Sequence, residues 1–264
     1  MSESDRHIEY TEDFITALQW MWGDGYLSPG GPQEVSELLH GVEVRNLEIL
    51  DIGCGLGAID ILLVRTYGAK SVVGIDIEQP LVDHARRRTA AAGLDESVRF
   101  QLVDPGPLPF EDKSFDLVFS KDAIIHISDK QALYEDVIRV LKPGGIFVGS
   151  DWLRGGEGEF SSQALEWFEV LHLTFDMINL EQTRLVLQQA GFERVQLRDR
   201  NEWYRAEIRN ELKSLSGHKY EELARLVGPE NAALRLRSST LKQQVIERGE
   251  LCPTHFVGYK PASR

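Results

Sequence analysis

The sequence predicts an α/β fold in which a mostly parallel sheet is flanked by helices. An apolar strand at residues 49–52 runs into a turn with three glycines, and helical spacing of apolar residues follows from Leu56. A second apolar strand, residues 71–75, ends in Asp76. This order of strand, glycine turn, helix and strand is typical of sheets that bind ligands at the carboxyl ends of their strands.

The elements before the glycine turn are predicted to be two helices and the loop between them. Residues 9–22 carry apolar side chains at helical spacing, and Thr11 is a suitable N-cap. The loop 22–31 is rich in glycine yet carries two large aromatic side chains, so we expect it to pack over another part of the molecule. Residues 32–40 then form a helix that begins with proline.

The elements after Asp76 continue the alternation of helices and strands. We predict a helix at 79–92, strands at 98–103 and 115–119, a helix at 129–141 and a strand at 146–151. An aromatic-rich helical insertion (160–176), a helix (180–190), a strand (192–197), a helical region broken near Gly228 (203–248) and a last strand (255–260) follow. Arg86, Arg87 and Arg88 are expected to form a solvated face of the first of these helices.

The glycine turn at 53–57 predicts a cofactor that contains adenosine. A ligand can lie close to this backbone, because glycine has no Cβ and tolerates positive φ. Asp76 is placed to accept hydrogen bonds from both ribose hydroxyls. Asp51 favours S-adenosylmethionine, because a carboxylate suits its sulfonium and ammonium groups and does not suit a pyrophosphate at a helix N-terminus. A nicotinamide oxidoreductase is therefore the weaker alternative.

Two segments resemble the class I S-adenosylmethionine-dependent methyltransferases. Residues 51–57, Asp-Ile-Gly-Cys-Gly-Leu-Gly, resemble motif I of that superfamily, and residues 141–145, Leu-Lys-Pro-Gly-Gly, are similar to the loop before its fifth strand. The resemblance implies a Rossmann-like class I methyltransferase sheet flanked by helices, with S-adenosyl-L-methionine as cofactor. It also implies an N-terminal helical lid and helical insertions after strands five and six.

A narrower resemblance is to the phosphoethanolamine N-methyltransferase family. It rests on Tyr10-Thr11 with the segment 22–31, on residues 120–127 and on Ser150-Asp151-Trp152. This resemblance implies that Tyr10 partners His126 and closes the site, with Asp122 near the reacting atoms. We expect His126 to be the general base, because an amine must lose a proton before it accepts a methyl group. A structural histidine and an aromatic anchor at Tyr10 are the alternatives.

The expected cofactor-binding residues lie in the loop 22–31 or at the ends of predicted strands. They are Tyr26, Ser28, Asp51, Gly53, Gly55, Asp76, Ile77, Asp104, Pro105 and Ser120. The expected substrate-binding residues are Glu9, Asp122, Trp152, Phe168, Phe175 and Lys242. Asp104 is placed to reach the adenine amino group, and a plain loop residue is the alternative. Cys54 and Cys252 form no metal-ligand pattern, so no metal is expected.

The expected substrate is a small amine-bearing metabolite. The family binds the phosphate group of its substrate with an aromatic-x-x-x-Arg-x-Tyr segment after strand five. The matching residues 168–175 contain neither Arg nor Tyr. A phosphate dianion needs charge-assisted partners, which only Lys242, Arg235 or Arg237 of the C-terminal helices are placed to supply. Phosphoethanolamine methylation itself, O- or S-methylation of a small metabolite, and a non-catalytic S-adenosylmethionine-binding protein remain alternatives.

Composition limits the partners of this chain of 264 residues. Its net charge of −13 and the lack of a long basic run argue against a nucleic-acid or anionic-membrane partner. The sequence shows neither a membrane span nor a signal peptide, so a cytoplasmic monomer or small homo-oligomer is expected. We expect a single domain over 1–264, with a lid at 9–40, a cofactor-binding core at 45–151 and acceptor-site insertions at 152–180 and 203–250.

Overall fold

The computed structural model describes residues 10–171, 173 and 175–262, so the expected substrate residue Glu9 lies outside the described residues. Its centre is one mixed sheet. The seven strands are β1 (Glu48–Ile52), β2 (Ser71–Asp76), β3 (Val98–Leu102), β4 (Phe115–Lys121), β5 (Leu141–Arg154), β6 (Glu193–Asp199) and β7 (Leu251–Tyr259). Their order is β3-β2-β1-β4-β5-β7-β6, and only β7 runs antiparallel to its neighbours. The predicted α/β sheet is confirmed.

The described residues form ten helices around this sheet. They are α1 (Glu12–Trp22), α2 (Gly31–Leu38), α3 (Ala58–Arg65), α4 (Gln79–Ala92), α5 (Lys130–Val140), α6 (Ser162–Leu171), α7 (Leu180–Ala190), α8 (Asn201–Ser214), α9 (Gly217–Val227) and α10 (Pro229–Glu247). Helices α4 and α7 match the predicted bounds. None of these ten helices has the length and apolar composition needed to cross a membrane.

Two predicted helical regions differ from the structure. The insertion predicted at 160–176 is a helix only over Ser162–Leu171. The region 203–248 is three helices, because the chain breaks between Ser214 and Gly217 as well as at the predicted Gly228. Gly217 has φ +58° and Gly228 has φ +85°, values that glycine adopts without a steric penalty. Each glycine therefore lets the chain change direction between helices.

The core lies on both faces of the sheet. Adjacent residues of a strand point to opposite faces, so Leu50 packs in the cluster that contains α5 and α7, and Ile49 packs in the cluster that contains α2 and α3. Both side chains are fully buried. Helix layers on both faces leave the carboxyl ends of the strands as the open edge, and β1 and β4 meet there at the point where strand order reverses.

A third group of helices lies over that edge. Helices α6, α8 and α10 share an apolar cluster that includes Trp167, Tyr204 and Val245. Helix α1 packs on α9 and α10, with Ala17 and Leu223 buried between them. Thr11 caps α1 as predicted, because its hydroxyl accepts a hydrogen bond of 3.3 Å from the Phe14 amide. The N-terminal helix and the C-terminal helices thus enclose one space above the sheet.

Candidate active site

The glycine turn between β1 and α3 is bent by three left-handed residues. Gly53, Gly55 and Gly57 have φ of +76°, +54° and +77°. The amides of Gly53 and Cys54 donate to Ile75 O at 2.9 and 3.0 Å, which ties the turn to the end of β2. A Cβ at Gly53 would collide with Ala123, whereas a Cβ at Gly55 would lie 3.2 Å from Leu27 Cδ1. Gly55 therefore borders a narrow space under the loop 22–31, which we call the entrance loop.

Three carboxyl groups surround this turn. Asp51 is 2% exposed, and its Oδ1 has no hydrogen-bond partner in the part of the chain that the structure describes. The pKa of Asp51 is raised well above its usual range, mainly because the side chain is buried and also because Asp60 and Asp76 are negatively charged neighbours. Burial raises the pKa of Asp60 to about 7. Asp76 accepts hydrogen bonds from Gly55 N at 3.0 Å and Glu78 N at 3.1 Å. This end of the sheet therefore suits a cationic ligand, which would stabilise the ionised carboxylates.

The other expected cofactor residues lie around the same edge in different environments. Ile77 is 47% exposed, and Asp104 and Pro105 are exposed just beyond the end of β3. The hydroxyl of Ser120 is turned into the sheet, where it donates to Ile52 O at 2.8 Å. Any contact of Ser120 with a cofactor would therefore come from its backbone. Tyr26 is half-buried in the entrance loop, and burial raises its pKa.

The entrance loop is fastened to the core by Arg88 of α4. Its guanidinium binds Asp24 through Nη1 at 2.6 Å and Nη2 at 2.8 Å, and Nη2 also donates to Gln19 Oε1 at 3.0 Å. The Arg88 side chain is 24% exposed, so the prediction that all three arginines of this helix are solvated is wrong for Arg88. The long side chain reaches back under the loop, which the helical pattern alone could not indicate.

We expect Arg88→Met to raise the KM for S-adenosylmethionine about 2- to 5-fold, with a small effect on kcat. The substitution keeps the apolar length of the side chain and removes the link to Asp24, so the loop over Gly55 is held less often in place. The effect is modest because Asp24 is largely exposed, and exposed ion pairs contribute only about 0–1 kcal/mol. Steady-state kinetics measure it. Arg87→Met, at an exposed position beside Arg88, is the control, and equal KM values in both variants would contradict this role.

A small cavity of about 100 Å³ lies between the sheet edge and the C-terminal helices. Tyr10 lines it from the N-terminal segment, Asp122 and His126 from the chain just after β4, and Arg235 and Lys242 from α10. Trp152 and Phe175 add aromatic walls. The structure thus brings the expected catalytic residues together with two of the aromatic substrate residues. Phe168 is not among the residues of the cavity wall and packs against Trp167 and Phe175 instead.

Asp122 stands at a strained position directly after β4. Its φ is +57°, a conformation that costs a residue with a Cβ about 1–2 kcal/mol. Its amide donates to Ser150 O at 2.7 Å, and its Oδ2 accepts a hydrogen bond of 2.6 Å from Lys121 Nζ. Lys121 Nζ also donates to Ser28 Oγ at 2.6 Å. One buried ammonium group therefore joins the entrance loop to Asp122.

His126 follows on a single 3-10 turn, Ile124–His126, and not on an α-helix. The i, i+4 relation with Asp122 that an α-helix would give is therefore absent, although both side chains line the cavity. The His126 ring lies 5.4 Å from that of Phe175, and the Tyr10 ring stacks on Phe14 at the same separation.

Lys130 holds this turn from behind. Its Nζ donates to Ile124 O at 2.7 Å and to Ile127 O. Asp151 lies nearby, and its burial, with the charge of Asp122, raises the pKa of its carboxyl group to about 8. The buried Lys130 ammonium group therefore fixes the backbone around His126. The buried carboxyl group of Asp151 lies near Lys130, and its pKa is close to neutral pH.

The cavity wall formed by α8 and α10 carries charged side chains, only some of which the sequence predicted to lie at the site. Lys242 is 5% exposed and binds Glu211 at 3.0 Å, and Trp22 Nε1 donates to the same carboxylate at 3.2 Å. Arg237 points away from the cavity and binds the exposed Glu166 at 2.6 Å. Glu211 was not predicted, because it stands in no motif. Trp22 belongs to the segment 22–31 on which the family resemblance rests, but its contact with this wall was not predicted. Polar residues at helical spacing on α8 were the available signal for Glu211, and such a stripe is usually a solvated face.

The sequence and the fold were compared with those of known proteins. A sequence model of a methyltransferase domain family matches residues 43–211. Phosphoethanolamine N-methyltransferase of Triticum aestivum is 31% identical over 219 residues, which cover 83% of this chain and 42% of that protein. The Plasmodium falciparum protein of the same name is 28% identical over 218 residues, which cover 81% of this chain and 80% of that protein.

A solved structure has a similar fold over most of the chain. Phosphoethanolamine N-methyltransferase 2 of Haemonchus contortus, in complex with phosphomonomethylethanolamine and S-adenosylhomocysteine, has a TM-score of 0.88 and 26% identity. The match covers 96% of this chain and 59% of that one. The chain thus spans less than half the length of the first plant relatives, and little more than half of this nematode protein.

Proposed function

We propose that this chain, which belongs to the S-adenosylmethionine-dependent methyltransferases, methylates the nitrogen of a small amine-bearing metabolite. The observation that carries the proposal is the cavity lined by His126, Tyr10 and Asp122, whose wall also includes Leu27, the residue nearest to a Cβ at Gly55. Its volume of about 100 Å³ is smaller than the roughly 150 Å³ that hold a benzene molecule in an engineered core. This volume favours an acceptor of few heavy atoms.

The residues at the sheet edge fit the cofactor of the family. When bound, S-adenosylmethionine supplies a methyl group that is already activated by its positively charged sulfur. Gly55 leaves room against the backbone, Asp76 would accept from the ribose, and Asp51 would face the cationic part of the ligand. Ile77 and Asp104 would border the adenine, and Tyr26 and Ser28 of the entrance loop would cover the ligand.

We assign the proton transfer to His126. A protonated amine has no lone pair, so its proton must leave before the nitrogen can attack a methyl group. His126 Nδ1 or Nε2 would take this proton, and the Tyr10 hydroxyl would orient the ring through a hydrogen bond. Asp122, whose Oδ2 already accepts from Lys121 Nζ, would accept a hydrogen bond from the amine with its other carboxylate oxygen. The aromatic walls formed by Trp152 and Phe175 exclude water, which would otherwise solvate and misalign the acceptor.

Phosphoethanolamine is the second candidate acceptor, and the names of the related proteins favour it. Lys242 and Arg235 are the cations that could meet its phosphate. The insertion argues against it, because Leu173 and Phe175 line the cavity in the segment where that family's motif carries Arg and Tyr. An apolar wall has no hydrogen-bond donors for a phosphate dianion, which is usually bound by the paired N–H donors of arginine side chains.

We expect free amines or amino acids to be better acceptors than phosphoethanolamine. The kcat/KM for the best unphosphorylated acceptor should exceed that for phosphoethanolamine by at least about tenfold, or about 1.4 kcal/mol. The measurement is the release of S-adenosylhomocysteine by the full chain, with each compound alone and in competition at equal concentration. If phosphoethanolamine gives the highest kcat/KM, the argument from the insertion fails and α10 supplies the phosphate site.

A further inference from the structure

Arg235 is a buried cation without a carboxylate of its own. The residue is 7% exposed, and it lines the cavity from α10. Its guanidinium lies 4.4 Å from the centre of the Phe14 ring. No hydrogen bond or ion pair from it to any described residue is present, and Glu211 acts on it only as a nearby charge. Burial lowers its pKa to about 10, so the group is still protonated at neutral pH.

The other charged side chains around the cavity are already paired. Glu211 receives Lys242 Nζ at 3.0 Å and the Ser239 hydroxyl, and Asp122 receives Lys121 Nζ at 2.6 Å. Two buried ion pairs therefore cancel, and Arg235 leaves the cavity with one positive charge in excess. An uncompensated buried charge destabilises a protein unless a ligand of opposite sign binds to it. The excess positive charge of Arg235 would be neutralised by a ligand that places a single negative charge at this wall.

We propose that Arg235, with Ser238 one helical turn further on α10, binds a carboxylate of the methyl acceptor, which is therefore a small amino-acid zwitterion. Ser238 Oγ accepts from Trp167 Nε1 at 3.1 Å, and a hydroxyl that accepts still has its own proton to donate. The guanidinium supplies a planar pair of donors that matches the two oxygens of a carboxylate. The position of the amine, next to His126 and Asp122, rests on the proposed function.

Charge and space both favour a carboxylate over a phosphate. A phosphate dianion would exceed the single positive charge that Arg235 provides, since Lys242 is already bound to Glu211. The nearby Leu173 and Phe175 offer no further donors. A carboxylate is also planar and smaller, which suits a cavity of about 100 Å³. The acceptor would thus lie with its carboxylate on α10 and its amine at the end of β4.

The test is a binding measurement that needs no methyl transfer. The full chain is saturated with S-adenosylhomocysteine and titrated calorimetrically with glycine, β-alanine, 4-aminobutyrate, ethanolamine and phosphoethanolamine. We expect the best carboxylate compound to bind at least tenfold more tightly than ethanolamine and phosphoethanolamine. In Arg235→Met this advantage should disappear, and Arg235→Lys, which keeps the charge without the fork, should retain part of it. Arg237→Met, whose arginine is exposed and paired with Glu166, should bind like the unaltered chain.

Thermal unfolding of each variant shows whether it folds, and Arg235→Lys keeps the test valid if Arg235→Met does not. Tightest binding of phosphoethanolamine, unchanged binding in Arg235→Met, or no binding of any carboxylate compound would each overturn the inference. A different result would show that the proposed function is wrong while the carboxylate site is right. If carboxylate compounds bind through Arg235 but none yields S-adenosylhomocysteine from S-adenosylmethionine, the carboxylate site stands and N-methylation by His126 fails.

Discussion

His126→Ala is expected to lower kcat about 10²- to 10⁴-fold, the usual loss when a general base is removed. The cofactor affinity should hardly change, because His126 lines the cavity where we place the acceptor, and we place the cofactor on the glycine turn. In the unaltered chain kcat/KM should rise with pH as the imidazole loses its proton, since only the neutral ring accepts the proton of the amine. The variant should lose this rise. Turnover by S-adenosylhomocysteine release and cofactor binding by calorimetry measure the two effects.

Two neighbouring groups make the pH profile a sharper test than the rate alone. Burial raises the pKa of Asp151 to about 8, so this carboxyl group also titrates close to the working pH. If Asp151 caused the pH dependence, the rise would persist in His126→Ala. Asp76 senses the charge of His126, which would appear as a small change in cofactor affinity at low pH. His218→Ala, at a histidine with an 84% exposed side chain, is the control and should leave both profiles unchanged.

The same variant separates the possible acceptor atoms. An amine or a hydroxyl must lose a proton to react, so both depend on His126. A thioether has no proton to lose, so its methylation would continue at an almost unchanged rate in His126→Ala, whereas a thiol would depend on a base as a hydroxyl does. Unchanged turnover with an amine acceptor would show that His126 is a structural residue, packed against Phe175.

The sheet was predictable because its signals are local. Strands β1 and β2 are short apolar runs, the first followed by Gly53 and the second ending in Asp76, and such runs between turn signals are typical of a sheet buried on both faces. Helix α7 is bounded by a capping box at Asn179 and by Gly191, both visible in the sequence. The break between α8 and α9 was missed, because Leu215-Ser216-Gly217 lacks proline and continues a helical pattern on both sides.

The site was predictable where its residues stand in motifs, at strand ends and, for Tyr10, in the N-terminal segment. Asp51, Gly55 and Asp76 are brought together by neighbouring parallel strands, which place their carboxyl ends side by side. Glu211 and Arg235 lie far from these residues in sequence and reach the cavity through helix packing. Whether a polar side chain on α10 faces water or the cavity depends on how α1 and α6 cover it. No local pattern carries that information.

Gly55→Val is expected to weaken the binding of S-adenosylmethionine at least 100-fold, or by about 2.7 kcal/mol or more. A Cβ at this position points toward Leu27 of the entrance loop and lies 3.2 Å from it. The branched side chain would fill the space between the turn and the loop, where we place the ligand. Calorimetric titration measures the affinity. Asp76→Ala tests the same site if the first variant folds poorly, and it should cost about 1–3 kcal/mol of binding free energy through the loss of a charged hydrogen-bond partner.

The control for Gly55→Val is Gly93→Val at the end of α4. Gly93 has φ +67°, close to the +54° of Gly55, but no atom lies within 4 Å of a Cβ built there. Both variants therefore carry a similar backbone strain, about 1–2 kcal/mol for a left-handed residue with a side chain. Gly93→Val should lower the melting temperature through this strain alone, and Gly55→Val by at least as much because of the added contact with Leu27, while only Gly55→Val loses cofactor binding. If the two variants bind S-adenosylmethionine with affinities within threefold of each other, the ligand does not lie on this turn, and the positive φ of Gly55 serves only the connection between β1 and α3.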